Sequence, residues 1–491
     1  MSSTELSTAA ERQRPPIDPG ASGDRRTRWN RSWSVRALAL LTAVALGAAQ
    51  GQAPAQTAGP KGPPVIRDAE IEQLLREYVQ PILQSAGLAK QNIQIVIIND
   101  RAFNAFVADG RRIFINAGAL MEAETPNEVI GVLAHETGHI AGGHLVRLRE
   151  QLAAATTQSI IALLLGVGAL VAASRSKDSS MGQAGAAAIS GPQAAIQNSL
   201  LSYVRTQEDQ ADRAGVRFLA ASGQSAKGMS DTFKRLADRM LYTTRFIDPY
   251  LQSHPLPAER VRGLEELARS SPHWDKKDSA ALQARHDLMR AKLYGFIERY
   301  DAVGRRYPLG DNSVAGRYAR AIAAYRFAEA QGAQGQIDSL IQAQPQNPYF
   351  YELKGQAFLE AGRAAEAIAP LRKAVSLAPN PSLIQIMLAQ ALLSANEGAH
   401  ADEALTLLQA ALTREPESPD AYAQIAMAYG RKGDLARADL ASAQAAFMRG
   451  DLRTARQLAA RAKTRFPVGS PGWVKADDIA SYKPPNSALR Q

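Results

Sequence analysis

The chain of 491 residues has no cysteine, and that absence removes three chemistries together: a disulfide scaffold, a thiolate zinc finger and a thiol nucleophile. It leaves the compartment open, because an oxidising space tolerates cysteine-free proteins. Long apolar runs are also missing. The two longest, residues 37–49 and 160–173, fall short of the ~20 residues that a comfortable bilayer crossing needs, so at most peripheral membrane contact is expected. There is no basic run either. The formal net charge of +10 falls to +7 once residues 1–36, with seven arginines and four acids, are set aside, and the remainder is spread along the chain. This argues against a nucleic-acid partner. The hydrophobic share of 46% and charged share of 21% are ordinary globular proportions, and the length suffices for about three units, each with a core of its own.

Arg25, Arg26, Arg28, Arg31 and Arg36 precede the apolar residues 37–49, and small residues follow. That order is the one of a cleavable export signal, with cuts expected after Ala49 or Ala55. Residues 1–55 are therefore read as a signal with a long polar leader, and 56–64 as a linker. With no cysteine near the cut, a lipoprotein anchor is excluded.

Asp68 then caps a helix whose apolar positions Ile71, Leu74, Leu75, Val79, Ile82 and Leu83 recur at helical spacing. Residues 93–98 read as a buried strand, and 103–107 and 113–116 flank the turn pair Asp109-Gly110. Everything after Ala117 reads as helical, so the class is α+β, mostly helical with a small sheet, followed by an all-α region. Residues 152–202 are rich in Ala, Gly, Ser and Gln. They are expected to form a helical hairpin against or over the helices that flank them in sequence, with residues 174–190 as a lid-like loop.

The chemistry is concentrated in one helix. Thr125 with Glu128 forms a capping-box pattern and Pro126 suits the first helical position. His135-Glu136-Thr137-Gly138-His139 follows. Residues four apart share a helix face, so both imidazoles can reach one ion while Glu136 takes the proton of the attacking water and passes it to the leaving amine. A catalytic metal wants a third protein ligand. Glu208 and Asp212, four apart, could supply the ligand and a partner for a ligand imidazole; a solvated acidic stripe with Asp209, paired to Arg205 and Arg213, explains the same pattern equally well.

The segment Arg205-Thr206-Gln207-Glu208-Asp209-Gln210-Ala211-Asp212 resembles the R-x-x-E-x-x-A-D segment of the HtpX and CAAX-prenyl-protease-related zinc peptidases. Asn104-Ala105-Phe106, Gly110, Ile113 and Gly118-Ala119-Leu120 are similar to the segment ahead of that family's metal-binding helix, with Arg111 in place of its usual second glycine. His254-Pro255 with Arg260 is similar to its H-P-x-x-x-x-R. The resemblance covers residues 65–275 and implies a gluzincin-like fold. It also implies one zinc ion per chain, held by His135, His139 and Glu208, with Asp212 beside a ligand histidine. For His254 two roles stand open: hydrogen bonding to the oxyanion of the tetrahedral intermediate, or occupying the open metal position and holding the enzyme off. Arg260 either stabilises the oxyanion or pairs with a carboxylate. His144, five positions past His139, leaves the ligand face and reads as structural, and His273, His286 and His400 as incidental. In peptidases of this kind an extended peptide adds to an exposed strand edge, and the hairpin around Asp109-Gly110 is the nearby candidate.

Pro345, Pro379, Pro416 and Pro467 close successive helical patterns at spacings of 34, 37 and 51 residues, the last being one period and a half. Tyr351, Gly355, Phe358, Gly362, Ala367, Leu371, Ala374 and Pro379 fall where a tetratricopeptide repeat places them. Residues 276–480 are therefore read as a protein-binding solenoid, with 481–491 as a tail. Signal, zinc peptidase and repeats in this order closely resemble the BepA-type periplasmic proteases of Gram-negative bacteria. That resemblance implies quality control and assembly of outer-membrane β-barrel proteins, with unfolded or misassembled substrates and the barrel-assembly machinery as partner. A chaperone-like factor with a largely latent peptidase is the alternative.

Overall fold

The computed structural model describes residues 64–150, 203–242, 250, 254–327, 330–395 and 400–484. The expected export signal, and the hairpin and lid-like loop expected within residues 152–202, lie outside the described residues.

The small sheet has four strands: β1 (Val65–Ile66), β2 (Gln94–Ile98), β3 (Ala105–Val107) and β4 (Arg112–Asn116), in the order β1-β2-β4-β3. β2 and β4 pair in parallel from Gln94↔Arg112 to Ile98↔Asn116, and β3 adds antiparallel to β4. Ile97, Ile113 and Ile115 point into the core with at most 1% exposure, as one face of a pleated strand must when a helix covers it. The expected hairpin is β3–β4, turning at Gly110, whose φ of 73° is the left-handed conformation that favours glycine. The two-residue β1 carries no readable period, and only its pairing with β2 defines it.

Helix α1 (Ala69–Ser85) begins as expected, the Asp68 side chain accepting from the Ile71 N–H at 2.9 Å. α2 (Ala117–Glu122) leads to α3 (Pro126–Gly142), the helix of the catalytic motif. Thr125 occupies the N-cap position and Pro126 opens the helix, but the capping box does not form. Glu128, itself buried, accepts from Arg235 at 2.6 Å, a charge-assisted bond stronger than the reciprocal backbone contact, and Asp278 takes the Asn127 N–H at 2.9 Å instead. The cap is thus tertiary. α4 (144–150) follows the Gly143 turn, and α5 (203–221), α6 (Lys227–Tyr242) and α7 (Ala258–Arg269) complete the helical shell.

The C-terminal region is helical throughout its described residues: α8 (Ala280–Ile297), α9 (Tyr300–Arg306), α10 (Val314–Phe327), α11 (Ala330–Ala343), α12 (Pro348–Glu360), α13 (Ala364–Leu377), α14 (Ser382–Ala395), α15 (Ala401–Arg414), α16 (Pro419–Arg431), α17 (Leu435–Met448), α18 (Leu452–Lys463) and α19 (Pro471–Ser481). From α12 onward they pair as antiparallel hairpins at the repeat period. Gly355 leaves room for the Leu371 side chain between α12 and α13. The half-period before Pro467 is α18, which α19 completes. No helix among the described residues is long and apolar enough to cross a membrane.

α8 belongs to two cores at once. Its Met289 and Leu293 join the cluster built by α1–α3, while Leu288 and Ala291 join that of α10–α12. His286, read as incidental, is fully buried there and links Tyr78 of α1 (3.1 Å) to the Ala123 carbonyl (2.9 Å). Burial lowers its pKa to about 4, which keeps the imidazole neutral. Six residues on, Lys292 meets three carboxylates: Asp68 at 2.8 Å, Glu70 at 3.3 Å and Glu352 of α12 at 3.6 Å.

Two buried acids and the half-buried Asp68 around one ammonium cannot all ionise cheaply. Burial pushes Glu352 up to about 7 against the pull of Lys292. A carboxyl with a raised pKa contributes stability that is complete below its unfolded value of 4.5 and is lost as pH rises through 7. Glu352→Gln is expected to flatten the pH dependence of the melting temperature between about pH 5 and 8, where the parent protein loses stability. Lys292→Met, which strands the acids, is expected to cost about 3–5 kcal/mol in urea unfolding at neutral pH.

Candidate active site

α3 carries His135 and His139 on one face, and two other segments close over them. α5 approaches so tightly that a Cβ on Gly138 would stand 2.7 Å from the Ala211 carbonyl oxygen. Ala211 lies between Glu208 and Asp212, so this backbone contact delivers both acids to the histidines. The segment after α6 brings Tyr250 and His254, the His254 N–H bonding the Tyr250 carbonyl at 2.7 Å.

His135, His139, Glu208 and His254 each offer a donor atom, and the four atoms lie within 4.8 Å of one another. The His135 and His139 Nε2 atoms are 3.1 Å apart, and each is 3.4 Å from a Glu208 oxygen. His254 Nδ1 is 3.3 Å from His135 Nε2 and 3.1 Å from both Glu208 oxygens. Such spacings match the edges of a tetrahedron with bonds of about 2.0–2.2 Å, the lengths of metal–nitrogen and metal–carboxylate bonds. Asp212 Oδ1 lies 2.9 Å from His135 Nδ1, which places the proton there and turns the bare lone pair of Nε2 inward. The residues present therefore fit a divalent ion.

The acids sort by environment. Glu136 is fully buried, neither carboxylate oxygen has a hydrogen bond, and His254 Nε2 is 3.6 Å away. Burial raises its pKa, opposed by the neighbouring His254 and His135, which suits a carboxylate that must take up a proton. Burial acts the same way on Glu208 and Asp212, but His254 and His135 outweigh it for Glu208, which is held well below the ordinary range, and Arg260 with His135 outweighs it for Asp212, which is lowered. For His135 burial works downward, yet bonding to Asp212 and Glu208 lifts it to about 9. His139, under burial and beside His135, falls well below the ordinary value.

Arg260 faces carboxylates. It holds Asp212 through two bonds of 2.7 and 2.9 Å, Glu208 at 2.9 Å and the Pro255 carbonyl at 2.9 Å. The competing pattern of an acidic stripe applies only to Asp209, which pairs with Arg213 on the surface. Two aromatic walls carried no sequence signal: Phe233 stands edge-on to His135 with ring centroids 5.2 Å apart, and Tyr250 lies over His254 at 4.6 Å. His144 lies outside the donor cluster but packs against one of its members. Its Nδ1 is 3.0 Å from His139 Nδ1. His273 and His400 lie on other elements.

Two substitutions test this geometry. Asp212→Asn is expected to weaken metal retention about 10–100-fold in a chelator competition. Gly138→Ala forces α3 and α5 apart and is expected to cost about 1–3 kcal/mol of stability together with a similar loss of metal affinity.

Residues 66–268 match peptidase family M48. The beta-barrel assembly-enhancing protease of Yersinia pestis is 27% identical over 413 residues, which span 83% of this chain and 82% of that protein. The beta-barrel assembly-enhancing protease of Escherichia coli (strain K12) is 26% identical over 418 residues, with the same coverage of 83% and 82%. Metalloprotease LoiP of Escherichia coli (strain K12) is 28% identical over 205 residues, 40% of this chain and 73% of its own. Residues 66–268 are thus a peptidase family M48 domain, and the chain is a metalloprotease similar over four-fifths of its length to the beta-barrel assembly-enhancing proteases.

Proposed function

We propose that the chain is a zinc endopeptidase, exported to the periplasm by its N-terminal signal, that cuts unfolded or misassembled outer-membrane β-barrel proteins. The observation that carries the hydrolytic reading is the unpaired, buried carboxylate of Glu136 set against a cluster of three imidazoles and Glu208. His135, His139 and Glu208 hold the metal, with Asp212 and Arg260 keeping His135 and Glu208 in orientation. A bound zinc ion would supply a Lewis acid that polarises the scissile carbonyl and acidifies the attacking water. Glu136 takes the proton from that water and delivers it to the leaving amine. Two imidazoles with a carboxylate also suit iron, and the base beside them is what favours hydrolysis by zinc.

Edge strand β3 lies beside α3 and offers its outer backbone groups to an extended peptide, which would read conformation more than sequence. Beyond the proposed division at 275/276, where α8 packs against both cores, the array recruits protein partners, the barrel-assembly machinery among them.

One feature favours the alternative of a largely latent peptidase. His254 Nδ1 sits at the fourth corner of the donor set, where water must enter. The site is therefore read as latched in this conformation, and the chain then acts as a binding factor until His254 leaves.

Glu136→Gln is expected to lower casein cleavage at least about 100-fold while metal content stays near one zinc per chain. A variant that still cleaves would remove the base from this mechanism. His254→Ala is expected to raise general proteolysis several-fold; unchanged or reduced cleavage with zinc retained would favour an oxyanion role.

A further inference from the structure

The second metal-motif histidine has a partner of its own. α3 ends because Gly143 adopts a φ of 64°, a left-handed cap that reverses the chain. The residue that follows, His144, is carried back over the last helical turn. Its ring lies directly on Gly142, in the space a Cβ at that position would fill, so a side chain there would strike the Nε2, Cδ2 and Cε1 atoms of the ring. In this position His144 is 3% exposed, its Nδ1 is 3.0 Å from His139 Nδ1 and its ring stands edge-on to that of His139. The Gln207 side chain donates to the His144 carbonyl at 3.3 Å, fastening the turn to α5. Gly142-Gly143-His144 is thus a built support, one glycine for the turn and one for the ring.

We propose that His144 is a positioning residue for His139: its Nδ1 accepts the Nδ1–H of His139, fixing the tautomer and the ring plane that direct Nε2 into the donor cluster. His135 has the same support from Asp212, so the two motif histidines are oriented by different chemistries, a carboxylate for one and a neutral imidazole for the other. An imidazole acceptor holds the ring without adding negative charge to a pocket that already contains Glu136, Glu208 and Asp212. This inference rests on the reading of His139 as a metal ligand.

The test uses the full chain with zinc, and with cobalt as a spectroscopic probe. His144→Leu removes the acceptor, His144→Asn places an amide oxygen near the position of Nδ1, and Gly142→Ala displaces the ring while leaving His144 intact. Zinc affinity in a chelator competition is expected to fall about 10–100-fold in His144→Leu and Gly142→Ala, with a shifted cobalt absorption band. His144→Asn is expected to recover affinity to within about threefold. His139→Ala is the control for the underlying reading. Metal lost in His139→Ala but held at parental affinity in both His144→Leu and Gly142→Ala overturns the positioning role alone. A folded His144→Asn, judged by its melting temperature, that binds no better than His144→Leu overturns the acceptor role. Full metal retention in His139→Ala overturns the ligand reading and the inference with it.

Discussion

Backbone contact between α3 and α5 at Gly138 and Ala211 is the constraint on which the site depends. Two histidines on one helix supply half of a metal site, and the rest must come from another element held within a few tenths of an ångström. A helix that touches its neighbour backbone to backbone cannot slide or tilt without a clash, because packed interiors leave no slack. Glu208 and Asp212, on either side of the contact, inherit that precision. The α3 end remote from the site is tied as well, with Asn127 bonded to the Gly228 N–H and the Ser225 carbonyl of the segment that opens α6.

Once the elements are fixed, the site has to accommodate charge away from water. Glu208 and Asp212 are surrounded by Arg260 and imidazoles, so their ionised forms are favoured despite burial. Glu136 has no donor on either oxygen and is pushed the other way. Acids a few ångströms apart are thereby pushed in opposite directions, as the proposed division into two holding groups and one proton carrier requires. Arg260 is the counter-charge that allows the holding pair to exist.

The repeat array is joined to the peptidase by more than a linker. α8 contributes one face to each core, and Lys292 gathers acids from α1 and α12. A second bridge links Arg67 to Glu415 at 2.7 Å. Tyr318 of α10 also donates to Glu70 of α1 at 3.0 Å. The array thus touches α1, which packs against the helix of His135 and His139, so the two regions share packed side chains and not only a connecting segment. The buried charges at this joint are costly unless all are in place, which gives the junction a single register.

Much of this was legible in the residues themselves, because local periodicity and short-range chemistry are written in order along the chain. The Asp68 cap, the Asp109-Gly110 hairpin, the spacing of His135 and His139, and the 34-residue period need only neighbours in sequence. Glu208, Asp212 and His254 were nameable through a family resemblance, whereas spacing alone left the two acids balanced against a surface stripe. The capping box at Thr125 failed for the complementary reason: Glu128 found Arg235 and Asn127 found Asp278, partners more than a hundred residues away. The surroundings of His286 and Lys292 were illegible because they arise from what folds against them. The chain order thus determined the helices and the strands other than β1, and which residue types can bind a metal. Only the packing of α5 and the His254 segment onto α3, and of α8 between two cores, decided which of those side chains meet. A buried polar group is defined by its partners, and those are set in three dimensions.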